Sequence, residues 1–413
     1  MAVLGIDFGT SNSAAGIAVD GKPQLIDIGA GETSQPTAVF FDFDARKMRV
    51  GQAASDALLG GSEGRYMRAL KSLLGTSLMR EKRLLLGERI DFIEIIARFL
   101  RRLRTAAEAQ TGTQFDRAFS GRPVLFHPDP ARNDRAAVDL RDAYLAAGFS
   151  DVAFMNEPEA AALANRDVLS PGDLGLIVDI GGGTSDFTLF RRGDAAIDIL
   201  ASGGLRMGGT DFDRALSLAC VMPLLGKDSA IRHAFGSDTH PAPNAIFNDL
   251  ATWQKIPFLY APDSRRLARD LLDHAVKPAL LARLCAVLED ELGHDVAFAV
   301  EAGKIAANGG GPARIGLDVV ERRLSVELTA GDLEATLGGL VAQIGSTAQD
   351  TLNRAQVAPD AVTHVIFVGG SSLMGVVEAA LKAVLPGAQV HRGSALTAIV
   401  DGLAIGAEGA FSG

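Results

Sequence analysis

Leu4-Gly5-Ile6-Asp7-Phe8-Gly9-Thr10-Ser11-Asn12-Ser13 stands near the start of the chain, and Ile177-Val178-Asp179-Ile180-Gly181-Gly182-Gly183-Thr184-Ser185-Asp186 says nearly the same thing again in mid-chain. Each is an apolar run, an Asp and a glycine-bearing turn with a Thr. Each then returns to apolar residues, at 14–19 and 187–190. That pattern predicts a strand, a tight turn and a second strand, written once in each half. Glycine turns let backbone amides converge on an anion with no side chain in the way. Two such hairpins facing across a cleft would hold a polyphosphate.

The candidate anion contacts are Gly9, Thr10, Ser11 and Asn12 in the first turn and Gly181, Gly182, Gly183 and Thr184 in the second. No G-x-x-x-x-G-K-[ST] occurs, so this is not the P-loop solution. Asp7 and Asp179 precede the turns, where two bare carboxylates would repel each other and the ligand. A divalent cation resolves the conflict. Mg2+ prefers oxygen and keeps several waters, so Asp7 and Asp179 would hold it through water. A nucleoside triphosphate with Mg2+ is the economical ligand.

The chain has 413 residues, 47% of them hydrophobic, which favours two or three core-building units over global disorder. Its formal net charge of −10 argues against nucleic acid or an anionic membrane surface as the main partner. Cys220 and Cys285 lack metal-ligand or redox spacing and read as reduced thiols of a cytoplasmic protein. No run of ~18 uncharged apolar residues exists, so no membrane span is expected.

Alternating strand and helix with glycine turns at strand ends is α/β architecture. Residues 1–43 read as a strand meander and 52–117 as mostly helical. Phe92, Ile96, Phe99 and Leu103 mark an amphipathic helix over 91–109. Its opposite face carries Arg98, Arg101, Arg102 and Arg104. Strands are expected at 123–126 and 152–155, helices at 133–147 and from 157. A second meander spans 173–202. The proline-rich stretch 226–264 reads as irregular and aromatic-bearing, with Trp253, Phe258 and Tyr260 either capping a core or forming an exposed docking surface. Helix resumes over 265–307, a strand pair lies around 314–328, and a strand over 364–368 ends at Gly369-Gly370-Ser371-Ser372. A last helix runs over 395–410.

These motifs together resemble the heat-shock-protein-70 (DnaK) family of the actin–hexokinase superfamily. The two hairpins resemble its first and second phosphate motifs. Ala69-Leu70-Lys71-Ser72-Leu73-Leu74-Gly75 resembles the segment bearing its catalytic lysine, and Asn156-Glu157-Pro158-Glu159-Ala160-Ala161-Ala162 its hinge-side motif. Met207-Gly208-Gly209-Thr210-Asp211-Phe212-Asp213 resembles a further glycine loop. Glu301 and Lys304 resemble the adenosine clamp, and Val368-Gly369-Gly370-Ser371-Ser372 the adenosine loop.

The resemblance implies an actin-like ATPase fold of two lobes, each with a duplicated βββαβα-type core, and a nucleotide cleft between them. It implies lobe I at 1–172 with a helical subdomain at about 44–117, lobe II at 173–389 with a subdomain at about 221–313, and a C-terminal helix at 390–413 returning to lobe I. It also implies roles. Lys71 would position the attacking water or the γ-phosphate, with Thr10, Ser11 and Thr184 adding hydroxyls. Asp7, Glu157, Asp179 and Asp186 would set up Mg2+, its waters and monovalent ions such as K+. Gly208, Gly209 and Thr210 would support the nucleotide, and Glu301, Lys304, Gly369, Gly370, Ser371 and Ser372 would hold the adenosine of ATP or ADP.

Departures accompany the matches. Leu373 stands where the family usually has Arg, and Asn308 where it often has Ser. The family's apolar linker and peptide-binding β-domain have no counterpart in the sequence, as in YegD-like truncated members. The expected function is slow, Mg-dependent ATP hydrolysis with a chaperone-related output through a protein partner. The rivals are a non-catalytic nucleotide sensor or filament protein, and a small-molecule kinase of the same superfamily.

Overall fold

The computed structural model describes residues 2–29, 31–194, 196–233, 238–311, 313–392 and 396–411. They form two compact units, one of residues 1–209 with 342–413 and one of residues 210–341.

The first unit holds two sheets built to one plan. In the first, β1 (Ala2–Phe8), β2 (Asn12–Val19) and β3 (Lys22–Leu25) form an antiparallel meander. On the other side of β1, β4 (Phe115–Arg122) and β5 (Asp151–Asn156) add in parallel. The second sheet repeats this with β6 (Leu174–Ile180), β7 (Ser185–Arg192) and β8 (Ile197–Leu205) as the meander. There β9 (His364–Val368) and β10 (Gln389–His391) are the parallel additions. The repetition seen in two hairpins therefore extends to a five-strand path in each sheet, the first sheet carrying one more short strand, Ser34–Pro36, against β2.

Register makes the duplication exact in the hairpins. Asp7 pairs with Ala14 and Phe8 with Ser13, while Asp179 pairs with Asp186 and Ile180 with Ser185. The two loops, 9–12 and 181–184, are equal in length and leave their sheets at equivalent points.

Burial explains why these segments are strands. Leu4, Ile6 and Phe8 alternate along β1 and are fully buried, the period of a pleated strand. Phe8 meets Phe99 edge-on at 5.8 Å, which seats α1 (Phe92–Thr111) on that face. Asp91 caps α1 by accepting from the Glu94 N–H at 3.0 Å, and Gly112 ends it in the left-handed region. Each large apolar side chain that α1 buries is worth about 1.5–3 kcal/mol. Its arginine face is occupied locally: Arg98 reaches Glu94 and Glu88, and Arg104 reaches Glu108. After β4, α2 (Pro130–Ala146) begins at Asp129, whose carboxylate accepts from the Arg132 N–H, with Pro in the first turn.

Two alanine-rich helices occupy the middle of this unit. α3 (Glu157–Ala164) follows β5, and α4 (Ala398–Gly406) follows β10. Each leaves its own sheet to pack on the other's meander, α3 against β6 and β7, α4 against β1, β2 and β3. They cross each other in a core that includes Ala160, Ala161, Ile177, Phe190, Val368 and Leu403.

The second unit, by itself, contains the helices Asn244–Leu250, Pro262–Asp273, Pro278–Glu289 and Gly293–Asn308. Small hairpins pair Ala230–Arg232 with Thr239–Pro241 and Ala313–Gly316 with Ser325–Leu328. Among the described residues no helix is long and apolar enough to cross a membrane.

Four sequence expectations need correction. Residues 52–117 are mixed rather than mostly helical. Gly64–Arg68 pairs with Ala38–Asp42, and Arg83–Leu85 with Glu88–Ile90. These strands are too short for their period to register. The strand expected at 123–126 is instead β4, Phe115–Arg122, because Pro123 has no N–H for the ladder. The stretch 226–264, outside 234–237 which are not described, is no irregular surface. Trp253 is 2% exposed, donates to Asp213 Oδ2 at 3.2 Å and meets Phe298 edge-on. Tyr260 donates to the Glu291 carbonyl and accepts from the Gly293 N–H. Pro262 instead opens a helix, Pro262–Asp273, and Pro257 lies inside the short helical turn Trp253–Phe258, so the prolines do not hold this stretch as a surface loop. The last helix is the shorter Ala398–Gly406, and its expected first residue, Ala395, lies outside the described residues.

Candidate functional site

The two hairpin loops meet. A Cβ built on Gly182 would stand 3.1 Å from Thr10 Cβ and closer still to Ser11 Oγ, and one built on Gly183 would stand 3.3 Å from Thr10 Oγ1 and 3.1 Å from Ser72 Oγ. Only a residue without a side chain lets loop 181–184 lie against loop 9–12 at this distance.

Further segments lock onto this junction. The Gly209 N–H donates to the Gly181 carbonyl at 2.9 Å, and Ser185 Oγ donates to the Met207 carbonyl at 2.7 Å. Gly209 also lies against Ser371 Oγ. Gly369 has φ 76, and its position for a Cβ falls 2.9 Å from Asp179 Oδ1, so a side chain there would be both strained and obstructed. The turn Gly370–Leu373 follows, closed by Ser372 Oγ donating to the Gly369 carbonyl at 2.6 Å.

Lys71 is no solvated lysine. It lies on the turn Leu70–Leu73, entered through Ala69 at φ 58, a conformation costing about 1–2 kcal/mol for a residue with a Cβ. Beyond it, Asp139 on α2 accepts from the Gly75 N–H at 3.0 Å and from Arg80 at 2.9 Å, anchoring the segment. The Lys71 side chain is 6% exposed, and its ammonium pairs with Glu157, the first residue of α3. Burial pulls the Lys71 pKa down, but Glu157, Asp7 and Asp179 outweigh it and hold it above the ordinary value. One cation therefore faces several carboxylates.

Two carboxylate oxygens of this region are unsatisfied. Asp7 Oδ1 and Asp186 Oδ2 are shut off from solvent without a hydrogen-bond partner. The other Asp186 oxygen accepts from the Val124 N–H at 2.8 Å. Burial first, then Glu157, pushes Asp7 and Asp186 up from 3.8 to about 7. Asp179 is raised by burial and by Glu157, Asp186 and Asp7. A buried oxygen with no partner costs about 1–3 kcal/mol, more when charged, so this set is complete only when something positive joins Lys71. All the donors are oxygens, which suits a hard divalent cation. Among the described residues no three His, Cys, Asp or Glu side chains are arranged to hold a metal ion directly.

The raised carboxyls fix a pH dependence. The folded ligand-free chain binds the Asp7 proton more tightly than the unfolded chain does. The stabilisation is thus full below pH ~4 and is lost as pH rises through ~7. Asp7→Asn removes that loss. In urea denaturation without ligand, its stability relative to the parent is expected to improve by about 2 kcal/mol between pH 5 and pH 8. A constant difference would contradict the burial of the charge.

Within the second unit, Lys304 on the helix Gly293–Asn308 pairs with Asp213 at 2.6 Å, both ends nearly buried. Burial raises Asp213, Lys304 lowers it, and Glu301 raises it again. Thr210 is the first residue of this unit. The structure thus gathers Asp7, Gly9–Asn12 in sequence, Lys71, Glu157, Asp179, Gly181–Thr184, Asp186, Gly208, Gly209 and 369–372 in one unit, and Glu301 and Lys304 in the other. Sequence reading assigned no role to Asp213, although it lies in the quoted glycine motif, nor to Asp139 and Arg206, which carry no spacing signal.

Known proteins are similar to this chain in sequence. The model of the family described as Hsp70 protein matches residues 79–229, which include Glu157, Asp179, loop 181–184 and Asp186. The chaperone protein DnaK of Thermoplasma acidophilum is 35% identical over 220 residues, 52% of this chain and 34% of the relative. That of Methanothermobacter thermautotrophicus is 29% identical over 68% of this chain and 47% of the relative. That of Cenarchaeum symbiosum is 26% identical over 91% of this chain and 49% of the relative. The chain spans between about a third and about a half of the length of these curated relatives. The duplicated sheets are the actin-like ATPase fold that the sequence led us to expect, and over the matched stretches the chain is similar to the Hsp70 (DnaK) family.

Proposed function

We propose that this chain binds a nucleoside triphosphate with Mg2+ and hydrolyses it slowly, as a nucleotide-binding unit with a chaperone-related output. The observation that carries the reading is the meeting of loops 9–12 and 181–184 beside buried Lys71 and partnerless carboxylate oxygens. Backbone N–H groups of the two loops, with the hydroxyls of Thr10, Ser11 and Thr184, would cradle the phosphates. Asp7 and Asp179 would hold Mg2+ through its waters, and the metal would supply charge neutralisation of the phosphate oxygens. Lys71, held by Glu157, would orient the water or the terminal phosphate. Asp186, fixed by Val124, would orient the hydrated ion. This is phosphoryl transfer by positioning and electrostatics. Glu301, Lys304 and 369–372 remain our candidates for the adenosine.

Isothermal titration of ATP and ADP with Mg2+, followed by a phosphate-release assay, tests the reading. Binding of both nucleotides with release of phosphate is the expected result. Absence of binding would end it, and binding without release would identify a nucleotide sensor instead.

A further inference from the structure

The cavity beside loop 181–184 is lined on its polar side by Thr10, Lys71, Ser72, Gly183, Thr184 and Arg206. Arg206 belongs to none of the motifs discussed so far, yet its place is strongly determined. It follows β8 directly, and the next carbonyl, that of Met207, is held by Ser185 Oγ. The Met207 N–H donates to the Leu205 carbonyl at 3.0 Å, and Gly209 is tied to Gly181. The backbone on both sides of Arg206 is thus pinned to the phosphate-side hairpin. The side chain reaches across to donate to the Ser72 carbonyl at 3.0 Å, next to Lys71. The guanidinium is exposed at the rim, while the Lys71 ammonium is buried on the carboxylate side.

We propose that Arg206 is the specificity-determining cation of this site, recognising the terminal phosphate of a nucleoside triphosphate and so discriminating triphosphate from diphosphate. The inference rests on the nucleotide reading above. Chemically, Lys71 already faces Glu157, Asp7 and Asp179, so its charge is largely committed to the inner carboxylates. A terminal phosphate carries charge that the inner end of the site does not match. A guanidinium offers several N–H donors in a planar fork suited to phosphate oxygens. The surroundings favour an anion as well: the His127 imidazole is held below its usual pKa by burial and by Arg132 and Arg206, with Asp129 acting the other way. Because Arg206 also holds the Ser72 carbonyl, occupancy by a terminal phosphate would be felt by the Lys71 turn.

The test is titration of Mg-ATP and of Mg-ADP into the parent chain, Arg206→Ala and Arg206→Lys, with a thermal melt of each. Arg206→Ala is expected to weaken ATP about tenfold while changing ADP less than about twofold, and Arg206→Lys to fall between. Arg206→Lys, which keeps the charge but not the fork, also covers the case in which Ala unfolds the chain. Parallel loss of both affinities would mean a merely structural role and would overturn the proposal, as would an unchanged ATP-to-ADP ratio in both variants. Failure of the parent chain to bind either nucleotide would remove the underlying reading and this inference with it, whereas binding with an unaltered ratio removes this inference alone.

Discussion

Lys71→Ala is expected to lower steady-state ATP turnover, followed by phosphate release, at least about 100-fold, the scale of losing one preorganised charge at a reacting centre. The inner carboxylates Glu157, Asp7 and Asp179 all act on this one ammonium. Removing it leaves Glu157 at the start of α3 facing two aspartates in a water-poor site, and breaking a buried pair in this way costs about 3–5 kcal/mol. Part of that cost returns as proton uptake, since Asp7 and Asp186 already titrate near 7. The double variant Lys71→Ala/Glu157→Gln should therefore recover stability without recovering turnover. Equal turnover in Lys71→Ala and the parent would remove Lys71 from the reaction. Recovery of turnover in the double variant would show that the pair is only structural.

Gly402→Ala carries the second large effect, on folding. Gly402 lies where α4 crosses α3. A Cβ there would stand 2.9 Å from Ala160 Cα and well inside contact distance of the Ala160 carbonyl oxygen. The obstacle is backbone, which cannot rotate away as a side-chain end can. Overpacking in cores costs about 1–3 kcal/mol, and we expect at least the upper end here. The helices must separate, and α3 carries Glu157 at its start. The loss should therefore reach the Lys71 pair as well. Urea denaturation reads the stability, and ATP turnover the displacement of Glu157. A variant as stable as its parent would mean that the two helices do not cross in backbone contact.

The hairpins and the long amphipathic helix were legible because their signals are local. Alternation in β1, the glycine turns and the spacing of Phe92, Ile96, Phe99 and Leu103 all lie within a few residues of one another. β4 was misplaced by its own sequence, Phe-Asp-Arg-Ala-Phe-Ser-Gly-Arg, whose polar residues hide a strand that is paired on both sides. The sequence around Trp253 supports two readings because the prolines nearby look like loop residues and its partner Asp213 lies far along the chain. Lys71 carries no local sign of burial. Its segment was found by resemblance, and its environment by structure.

The residues by themselves determined that two phosphate-type hairpins exist, that strands and helices alternate around them, and that an Asp precedes each turn. Those are properties of short stretches, set by backbone sterics and side-chain period. Tertiary packing alone decided that loop 181–184 touches loop 9–12, that Lys71 sits in shade against Glu157, and that two carboxylate oxygens lack a partner. Burial and charge balance are sums over residues distant in sequence, so no window along the chain contains them.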